Sequence, residues 1–475
     1  MRKKLLSFAV LVSAVFFFGS CLGNSDDEVV YYNDTALTAF TLGTLNQYGH
    51  TTSSTGKDSA YKAAVTGSEY AFYIDQIKNE IYNPDSLPYG TDAKHVICTI
   101  TSKNSGTIVL KSMTSDSLRY YSSTDSIDFS QPRTVYVYNP SGTAFKAYTV
   151  KVNVHQQEGE TFNWLSGLPA NTRLAALTAM KAVACNGTIY VFGRTAAGFK
   201  AYSTAETDGK EWQELTPSVA LTADAYQSVV AKGNKLYVAD GGVVYSSADA
   251  TSWEQVAAAA QIRQLIGATD AKIYALQTDG KLAVSADEGS TWATEELDAP
   301  GELFPTESLS FAFRPMETNE NTNKIVLVGN RSVSAYAADG WALVWGKVEE
   351  NAPYSENQPW SYYEVLAGNH YVAPRLNGLQ AVGYGNSLVA LGGEGLGACT
   401  AAPFAKFYES KDGGITWKPS ENIKVPASFS AADQVFAMAK DSRNFIWIIC
   451  GTSGQVWKGR LNKMGWATAP TSFYK

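Results

Sequence analysis

The sequence predicts an all-β protein in which a β-sandwich is followed by a β-propeller. The 475 residues are 45% hydrophobic and 17% charged and include 39 Gly, 27 Tyr and 11 Trp, a composition typical of strands and tight turns. Residues 33–155 alternate short strand patterns with turn residues, and residues 162–475 repeat a pattern of strand, turn and Trp. A polar stretch at residues 156–161 is the predicted linker between the two domains.

The first twenty residues have the three parts of a secretory signal peptide. Three basic residues at positions 2–4 precede an almost wholly apolar run at residues 5–18, and two small residues follow. An apolar run of about fourteen residues is too short to span a bilayer as a helix, which needs about twenty. We therefore expect residues 1–20 to be removed on export and residues 21–32 to form an acidic tether.

Cys21 ends the sequence Phe-Gly-Ser-Cys, which resembles the lipobox of bacterial lipoproteins. The resemblance implies that Cys21 is lipidated and anchors the chain in the outer membrane. The acidic run at residues 25–28 resembles the surface-export signal of Bacteroidota lipoproteins, which implies that the chain faces the cell exterior. Removal of residues 1–20 would move the formal net charge from −7 to 35 minus 45, or −10. Because an acidic protein repels phosphate backbones, we exclude nucleic acid as a partner.

The N-terminal domain contains one clear hairpin signal. Residues 134–138 and 148–154 have strand patterns, and a turn with Pro, Ser and Gly separates them. About six or seven strands at short spacing predict a β-sandwich. The domain resembles the Ig-like modules of Bacteroidota surface proteins. Residues 81–90 resemble a signature of one uncharacterised lipoprotein family of that phylum, a resemblance that implies no known activity.

Two segments of the C-terminal domain, residues 285–292 and 410–417, share the pattern Ser-x-Asp-x-Gly-x-Thr-Trp. The Asp carboxylate can accept hydrogen bonds from backbone N–H groups of a turn, and Gly supplies a left-handed conformation. The pattern resembles the Asp-box, or bacterial neuraminidase repeat, of sialidase-like propellers, where it has a structural role away from the active site. The residues that form the two boxes are Ser285, Asp287, Gly289, Trp292, Ser410, Asp412, Gly414 and Trp417.

Degenerate copies of the box extend the repeat. Trp residues at positions 212, 253, 292, 360, 417 and 466 are separated by intervals of 41, 39, 68, 57 and 49 residues. A four-stranded blade needs about 40 to 50 residues, so six copies predict six blades, two of them with insertions. Seven blades is the alternative. Residues 162–164 are a candidate for an extra strand that closes the ring.

Propellers usually bind ligands at one end of the central channel, and we expect the Asp-boxes on the other face. Two long segments, residues 361–375 and 392–404, are predicted to lie side by side on the ligand-binding face. Aromatic rings beside hydrogen-bonding side chains suit a sugar or a peptide, although the tyrosines could merely cover the propeller rim. The candidate ligand-binding residues are Tyr362, Tyr363, Glu364, Asn369, His370, Tyr371, Arg375 and Phe404.

Catalytic motifs are scarce in the sequence. The first arginine motif of sialidases is Phe-Arg-Ile-Pro near the start of the domain, whereas residues 313–315 lie in mid-domain and lack the Ile. Arg173, Arg263 and Arg375 stand near the expected starts of innermost strands, so an arginine cluster is conceivable. Four well-separated His and the lack of a Cys-x-x-Cys pair predict no metal site, and we expect no cofactor.

We therefore expect a surface lipoprotein whose propeller binds a glycan or a protein without catalysis. A cell-surface glycoside hydrolase and a structural subunit of a surface complex are the alternatives. Two carboxylates about 5 to 10 Å apart in the channel mouth would favour the hydrolase. An aromatic shelf without such a pair would favour binding, and a flat apolar face would favour a protein partner.

Overall fold

The computed structural model describes residues 32–52, 57–316, 318–429 and 435–466. The chain divides into two compact units between Gln157 and Glu158, within the predicted linker. The predicted signal peptide, Cys21 and all but the last residue of the predicted tether lie outside the described residues. A membrane-spanning helix would have to be long and apolar, and the described part of the chain contains none that qualifies.

The described residues of the N-terminal unit form ten strands. They are β1 (Leu37–Leu42), β2 (Thr44–Thr52), β3 (Asp58–Thr66), β4 (Tyr73–Asp75), β5 (Glu80–Tyr82), β6 (Cys98–Ser102), β7 (Thr107–Lys111), β8 (Leu118–Tyr120), β9 (Arg133–Tyr138) and β10 (Phe145–Lys151). Six of them form one sheet in the order β4-β5-β10-β9-β7-β8, while β1 pairs with β6 and β2 with β3. Strands β5 and β10 are parallel. An Ig domain divides its strands between two antiparallel sheets, so the Ig likeness stays a prediction.

The predicted hairpin consists of β9 and β10, whose register pairs Tyr138 with Phe145. Asn139 begins the connecting turn, and its side-chain oxygen accepts a hydrogen bond from the backbone N–H of Ala144 at 3.0 Å. One face of both strands enters the core because alternate side chains of a strand point to the same face. The core residues of this hairpin are Val135, Val137, Tyr148 and Val150.

The C-terminal unit is a β-propeller, as predicted. Strand β11 (Phe162–Trp164) precedes the blades. Blade 1 contains β12 (Ala179–Cys185), β13 (Thr188–Thr195), β14 (Gly198–Ala205) and β15 (Gln213–Leu215). Blade 2 contains β16 (Val230–Lys232), β17 (Lys235–Asp240), β18 (Val243–Ser247) and β19 (Glu254–Ala258). Blade 3 contains β20 (Ile262–Ala268), β21 (Ile273–Gln277), β22 (Leu282–Ser285) and β23 (Ala293–Thr294).

The second half of the propeller follows the same order. Blade 4 contains β24 (Glu307–Pro315), β25 (Thr322–Asn330), β26 (Leu343–Glu350) and β27 (Ser361–Tyr362). Blade 5 contains β28 (Gln380–Tyr384), β29 (Ser387–Leu391), β30 (Tyr408–Ser410) and β31 (Lys418–Pro419). Blade 6 contains β32 (Phe436–Lys440), β33 (Ile446–Cys450) and β34 (Val456–Leu461). Short 3-10 turns, rather than α-helices, complete the described residues, at Gly67–Glu69, Lys103–Ser105, Leu174–Ala176, Ala225–Ser228, Gly301–Leu303 and Asn462–Gly465.

The ring of blades is closed by the first strand of the domain. Strand β11 pairs antiparallel with β34, with Phe162 opposite Leu461, and supplies the fourth strand of blade 6. The extra strand predicted at residues 162–164 therefore exists and has the predicted role. Over the described residues the unit contains six four-stranded sheets, the number of blades that the Trp intervals predict.

The two segments with the Asp-box-like pattern, residues 285–292 and 410–417, have the same hydrogen bonds, and we call them Asp-boxes after that pattern. In blade 5, Asp412 accepts bonds from the backbone N–H and the hydroxyl of Thr416 at 2.9 and 2.7 Å, and Ser410 Oγ accepts the N–H of Gly414 at 2.8 Å. Trp417 donates its indole N–H to the Gly414 carbonyl and packs among residues of blades 4 and 5. The box of blade 3 repeats these contacts with Ser285, Asp287, Gly289, Thr291 and Trp292.

Candidate functional site

A cavity of about 1100 Å³ lies where the innermost strands of all six blades meet. Its wall includes residues of β12, β16, β20, β24, β28 and β32, which places it in the central channel. Both polar and apolar residues line the wall. A cavity of this size is at the upper end of the range for small-molecule sites.

The channel has two distinguishable ends because its strands run in the same direction. Ser310 Oγ on β24 accepts the N–H of Ala381 on β28, and Ala312 lies beside Gly383, so residue numbers increase together on the two strands. The innermost strands begin at one end of the channel, and we name this end the entry end. Because each blade is a four-stranded meander, the Asp-box turns between the third and fourth strands lie at the opposite end.

Two polar side chains converge on one backbone carbonyl near the entry end. The Lys181 ammonium on β12 donates to the carbonyl oxygen of Gln227 at 3.0 Å, and the Gln264 amide on β20 donates to the same oxygen at 3.2 Å. Gln227 belongs to the 3-10 turn that leads into β16. Three consecutive blades thus contribute to one hydrogen-bonded group, and the two donors lie within about 6 Å of each other. Burial lowers the pKa of Lys181 to about 8.

Other polar side chains of the channel wall hold neighbouring blades together. Ser228 Oγ accepts the backbone N–H of Leu265 at 2.9 Å, which joins blades 2 and 3. Gln380 on β28 donates to the carbonyl of Phe436 and accepts the N–H of Met438, both at 2.7 Å, which joins blades 5 and 6. These groups complete the wall, and their hydrogen bonds to backbone explain why polar residues occur in otherwise apolar innermost strands.

The channel wall is positively charged although the chain is acidic. Among the described residues, the charged side chains that line the cavity are Lys181, Arg314, Lys324, Lys440, Asp270 and Glu307. Four cations and two acids give the wall a formal charge of +2, whereas the chain as a whole has −7. Low-dielectric walls lined by one sign of charge concentrate ligands of the opposite sign.

The two acids of the wall are far apart. Gly267 on β20 lies against Phe311 on β24, Asp270 follows Gly267 by three residues, and Glu307 precedes Phe311 by four. Seven residues of extended strand correspond to roughly 20 Å. Glycoside hydrolases hold their two carboxylates about 5 to 10 Å apart, so this pair does not have that geometry.

The structure removes two predicted ligand-binding residues from solvent. Arg375 is fully buried, and its guanidinium donates to the carbonyl oxygens of Tyr336 at 2.6 Å, Asp339 at 3.0 Å and Arg331 at 2.8 Å. Phe404 is also buried, edge-on to Phe436 at 5.2 Å between ring centroids. The prediction of ligand contact is not supported for either residue, because Arg375 holds a loop of blade 4 and Phe404 belongs to a core cluster.

Tyr362 and Tyr363 are half-buried. The ring of Tyr362 packs on Trp345 at 5.3 Å between centroids, and its backbone N–H donates to Asp298 at 2.8 Å. Tyr363 packs over Gly346, where even a Cβ atom would collide with its ring. Burial raises the pKa of both phenols. These contacts correspond to the alternative of tyrosines that cover the propeller.

Of the remaining candidates, Tyr371 lies beside the Asp-box of blade 5. The carbonyl of Tyr371 accepts the N–H of Trp417 at 2.8 Å, and the Lys418 ammonium lies 4.5 Å from the centre of the Tyr371 ring. Asn369 caps this turn by accepting the N–H of Tyr371, while Glu364 and His370 are exposed. The expected position opposite the Asp-boxes is therefore wrong for Tyr371, because the segment runs along the outermost strand before it enters β28.

The two long segments do meet, as predicted. The N–H of Leu396 donates to the carbonyl of Arg375 at 2.9 Å, and the N–H of Asn377 donates to that of Glu394 at 2.8 Å. None of the eight predicted ligand-binding residues is among the described residues that line the channel cavity. Lys181, Gln227 and Gln264 were not predicted. The sequence signal that could have identified Lys181 and Gln264 is a Lys or a Gln as the third residue of a mainly apolar innermost strand.

Metal ligation has no obvious place in the described part of the chain. No group of three or more His, Cys, Asp or Glu side chains that could hold a metal ion occurs there. The cations of the channel wall instead suit an anionic ligand group.

Several solved structures resemble part of this chain at low sequence identity. A Trichoderma reesei carbohydrate-active enzyme of family AA12 is 10% identical, covers 64% of this chain and 96% of its own, and has a TM-score of 0.39. YCF48 from Cyanidioschyzon merolae is 11% identical over 63% of this chain and 98% of its own, with a TM-score of 0.32. Trypanosoma rangeli sialidase in complex with the inhibitor DANA is 11% identical over 60% and 54%, with a TM-score of 0.35. At these identities the likeness concerns the fold alone.

Sequence comparison gives a more definite result for the family. No curated protein matches the chain. The family model of the DUF6242 beta propeller domain matches residues 158–469, and that of the DUF6242 N-terminal domain, a domain of unknown function, matches residues 40–152. The two matches cover the two structural units, and the chain belongs to the DUF6242 family.

Proposed function

We propose that this protein is a lipoprotein displayed on the outer membrane, and that its propeller binds a glycan in the central channel without cleaving it. The cavity of about 1100 Å³ formed by all six blades is the observation that carries the proposal. The cavity is large enough for an oligosaccharide. It runs along the innermost strands of the blades and is not a flat surface.

The composition of the wall favours a glycan over a flat protein partner. Sugars present hydroxyl groups beside apolar C–H faces, and the cavity offers amide and ammonium donors beside half-buried aromatic rings such as Phe311 and Phe313. The convergent group of Lys181, Gln227 and Gln264 supplies polar contacts that fix orientation. A protein partner would instead favour a broad exposed apolar patch.

The charged groups of the channel support binding rather than hydrolysis. A glycosidase needs an acid and a second carboxylate on either side of one glycosidic bond. Asp270 and Glu307 stand roughly 20 Å apart by strand geometry, and each lies nearer to a different end of the channel. The hydrolase remains the competing class, and detection of turnover would favour it.

Ligand binding can be tested with the full chain, purified in detergent, on an array of neutral and acidic glycans. We expect binding without release of products, and about tenfold weaker binding for Gln264→Ala because one hydrogen bond to the ligand or wall is lost. Tyr371→Ala is the matched control at the rim and should bind as the parent does. Turnover of any glycan would contradict the non-enzymatic proposal. If no glycan on the array binds, the proposal of glycan binding is overturned in favour of a protein partner.

Surface display rests on the predicted signal peptide and on the lipobox-like sequence before Cys21. Cys21→Ser should release the protein from the membrane fraction, because the thiol that accepts the lipid is lost. Cys399→Ser is a control of the same chemistry outside the predicted anchor and should stay in the membrane. Protease treatment of whole cells should digest the parent protein; protection of the membrane-bound protein would contradict display on the cell exterior.

A further inference from the structure

Lys181 is half-buried and differs from Lys347 and Lys458, the buried lysines of the propeller. Lys347 pairs with the buried Glu295 at 2.6 Å, and Lys458 lies 3.9 Å from the buried Asp441. Within the described residues, no carboxylate stands within ion-pair distance of Lys181, whose ammonium contacts the carbonyl of Gln227. The Lys181 side chain is half-buried and faces the channel cavity, where solvent or an anionic ligand can balance its charge. The channel therefore contains a cation whose counter-ion the propeller does not supply.

The donors around this cation point to the shape of the missing group. The Lys181 ammonium and the Gln264 amide lie within about 6 Å of each other, because both donate to the same carbonyl oxygen of Gln227. An ammonium has three N–H donors and an amide has two, so each retains N–H groups beyond the bond to Gln227. A planar group with two acceptor oxygens can bridge donors at this separation. A carboxylate has this form and carries the single charge that one ammonium neutralises.

The long-range charge distribution favours the same kind of ligand. The channel wall has a formal charge of +2 within a chain of −7, and the cations other than Lys181 lie at the far ends of the innermost strands or on β25. An extended anion that enters at Lys181 would meet Arg314, Lys324 and Lys440 farther along the channel. The acidic exterior would repel such an anion elsewhere, so the field directs it to the channel.

We propose that the channel ligand is an acidic glycan, and that a carboxylate of one sugar residue binds between the Lys181 ammonium and the Gln264 amide. This inference rests on the proposed glycan binding and specifies its ligand class. Lys181 supplies the charge, Gln264 orients the carboxylate plane, and the Gln227 carbonyl holds both donors in place. The neutral surface of the sugar packs against the apolar part of the wall.

The environment of Lys181 makes binding dependent on pH. Burial lowers the pKa of Lys181 to about 8, so the free protein loses this charge as the pH rises through that value. Binding of an anion should therefore weaken between pH 7 and 9.5. Two cations on strands packed against β12 already have acidic partners. Arg194 is paired with Asp224 at 2.7 Å, and Lys232 lies 3.6 Å from Glu288. The other titratable groups on elements packed against β12 are Tyr190 on β13, Tyr226 in the turn before β16 and Lys440 on β32.

The test compares acidic oligosaccharides with their own methyl esters. The probes are an oligogalacturonide, an oligomannuronate and sialyllactose, each titrated by calorimetry against the full chain in detergent, with and without methyl esterification. We expect at least one acid to bind at least tenfold more tightly than its ester at pH 7. Lys181→Gln should remove that preference while keeping a donor for Gln227, and Lys181→Arg should keep it and abolish the loss of binding above pH 8. Lys210→Gln, which removes an exposed charge of the same blade, should bind as the parent does.

The outcomes separate this inference from the proposed function. Equal binding of acids and esters, or an acid preference that survives Lys181→Gln, overturns the carboxylate site while glycan binding stands. Binding of neutral array glycans alone has the same meaning. Failure of every acid, ester and neutral glycan to bind overturns both proposals. Thermal melting of each variant checks that the propeller is folded, because Lys181 also joins blades 1 and 2.

Discussion

Blades 3 and 5 stabilise their turns by a different means from blades 4 and 6. In blades 3 and 5 an Asp-box joins residues that are at most four positions apart, as in the bond from Thr416 to Asp412. In blade 4, Glu349 is buried and accepts hydrogen bonds from Tyr274 at 2.6 Å and from Thr269 at 3.1 Å, both in blade 3. The first kind of contact is local, and the second joins residues about 80 positions apart.

Blade 6 combines a local turn network with a contact to blade 1. Asp441 is buried and accepts hydrogen bonds from the N–H of Phe445 at 2.8 Å and from the indole of Trp447 at 2.9 Å. Lys458 donates to the carbonyl of Glu206 in blade 1, whose carboxylate in turn binds Ser442. Blades 4 and 6 thus use buried charges that link neighbouring blades, whereas the boxes of blades 3 and 5 and the shortened box of blade 2 use local bonds. One architecture can therefore be stabilised by short-range turn chemistry or by long-range polar networks.

The largest effect is expected from the buried ion pair of blades 3 and 4. Lys347→Met leaves the Glu295 carboxylate buried without its cation, since both side chains are only 1% exposed. Loss of one partner of such a pair costs about 3 to 5 kcal/mol in the free energy of unfolding. All 11 Trp residues lie between positions 164 and 466, so denaturant unfolding followed by Trp fluorescence reports on the propeller.

Two control variants show whether the loss of stability comes from the unpaired buried charge. The double variant Glu295→Gln, Lys347→Met removes both charges and should recover most of the loss. Lys200→Met breaks a partly exposed pair with Glu214 and should cost about 1 kcal/mol or less. If Lys347→Met lowers the free energy of unfolding no more than Lys200→Met does, the buried pair of Glu295 and Lys347 is dispensable for stability.

The next effect concerns the glycine of a complete Asp-box. Gly414 has a φ of +101°, and an added Cβ would lie 3.0 Å from side-chain atoms of Val326 and of Val344. Gly414→Ala should therefore lower the free energy of unfolding by about 1 to 3 kcal/mol. In the shortened box of blade 2, Ala250 already has a φ of +62°, so Ala250→Gly is the matched control. That variant relieves strain but loses a buried methyl group, and we expect a change within about 0.5 kcal/mol.

A somewhat smaller effect is expected at the carboxylate of the same box. Asp412→Ala removes the acceptor for the N–H and hydroxyl of Thr416 and for the Ser410 hydroxyl. By analogy with the loss of a helix N-cap, the cost should be about 1 kcal/mol in denaturant unfolding. Asp412→Asn keeps one acceptor oxygen and should cost less than the Ala variant. Equal costs for the two variants would contradict the role of the hydrogen bonds.

The smallest expected effect is a pH dependence. Hydrogen bonds from Thr291 and Ser285 hold the pKa of Asp287 at about 2, and bonds from Ser252 and Thr251 do the same for Asp249. A carboxyl whose folded pKa lies below its ordinary value of 3.8 stabilises the fold above pH 4 and loses this contribution as the pH falls towards 2. The melting temperature of the parent should exceed that of Asp249→Asn, Asp287→Asn at pH 6, and the gap should close by pH 2. A constant gap would contradict the titration.

The fold was largely predictable because its signals are local. The two Asp-boxes at residues 285–292 and 410–417 and the strand at residues 162–164 each lie within eight residues, so they are visible in the chain alone. Four of the six Trp positions that predicted the blades, 212, 253, 360 and 417, are buried in the propeller core. The arrangement of the N-terminal sheet was not predictable, since β5 pairs with β10 across about 70 residues.

The candidate site was predicted less well, and the reason is visible in individual residues. Tyr371 and Arg375 are four positions apart, yet one is about half exposed beside an Asp-box and the other is fully buried. A polar, aromatic-rich segment predicts a surface loop, but its path over the blades depends on packing against Trp417 and on carbonyls near Asp339. Composition carries no information on which side chain such a loop hides.

Strand alternation, turn chemistry and Trp spacing act over a few residues, so the sequence was sufficient to predict the all-β class, the division near residue 157 and the repeated four-stranded unit. Which polar residues face the channel depends on how the blades pack against one another. Lys181, Gln227 and Gln264 belong to three consecutive blades and become neighbours through a single carbonyl oxygen. The two hydrogen bonds join residues 46 and 37 positions apart, and no local pattern records a contact of that range.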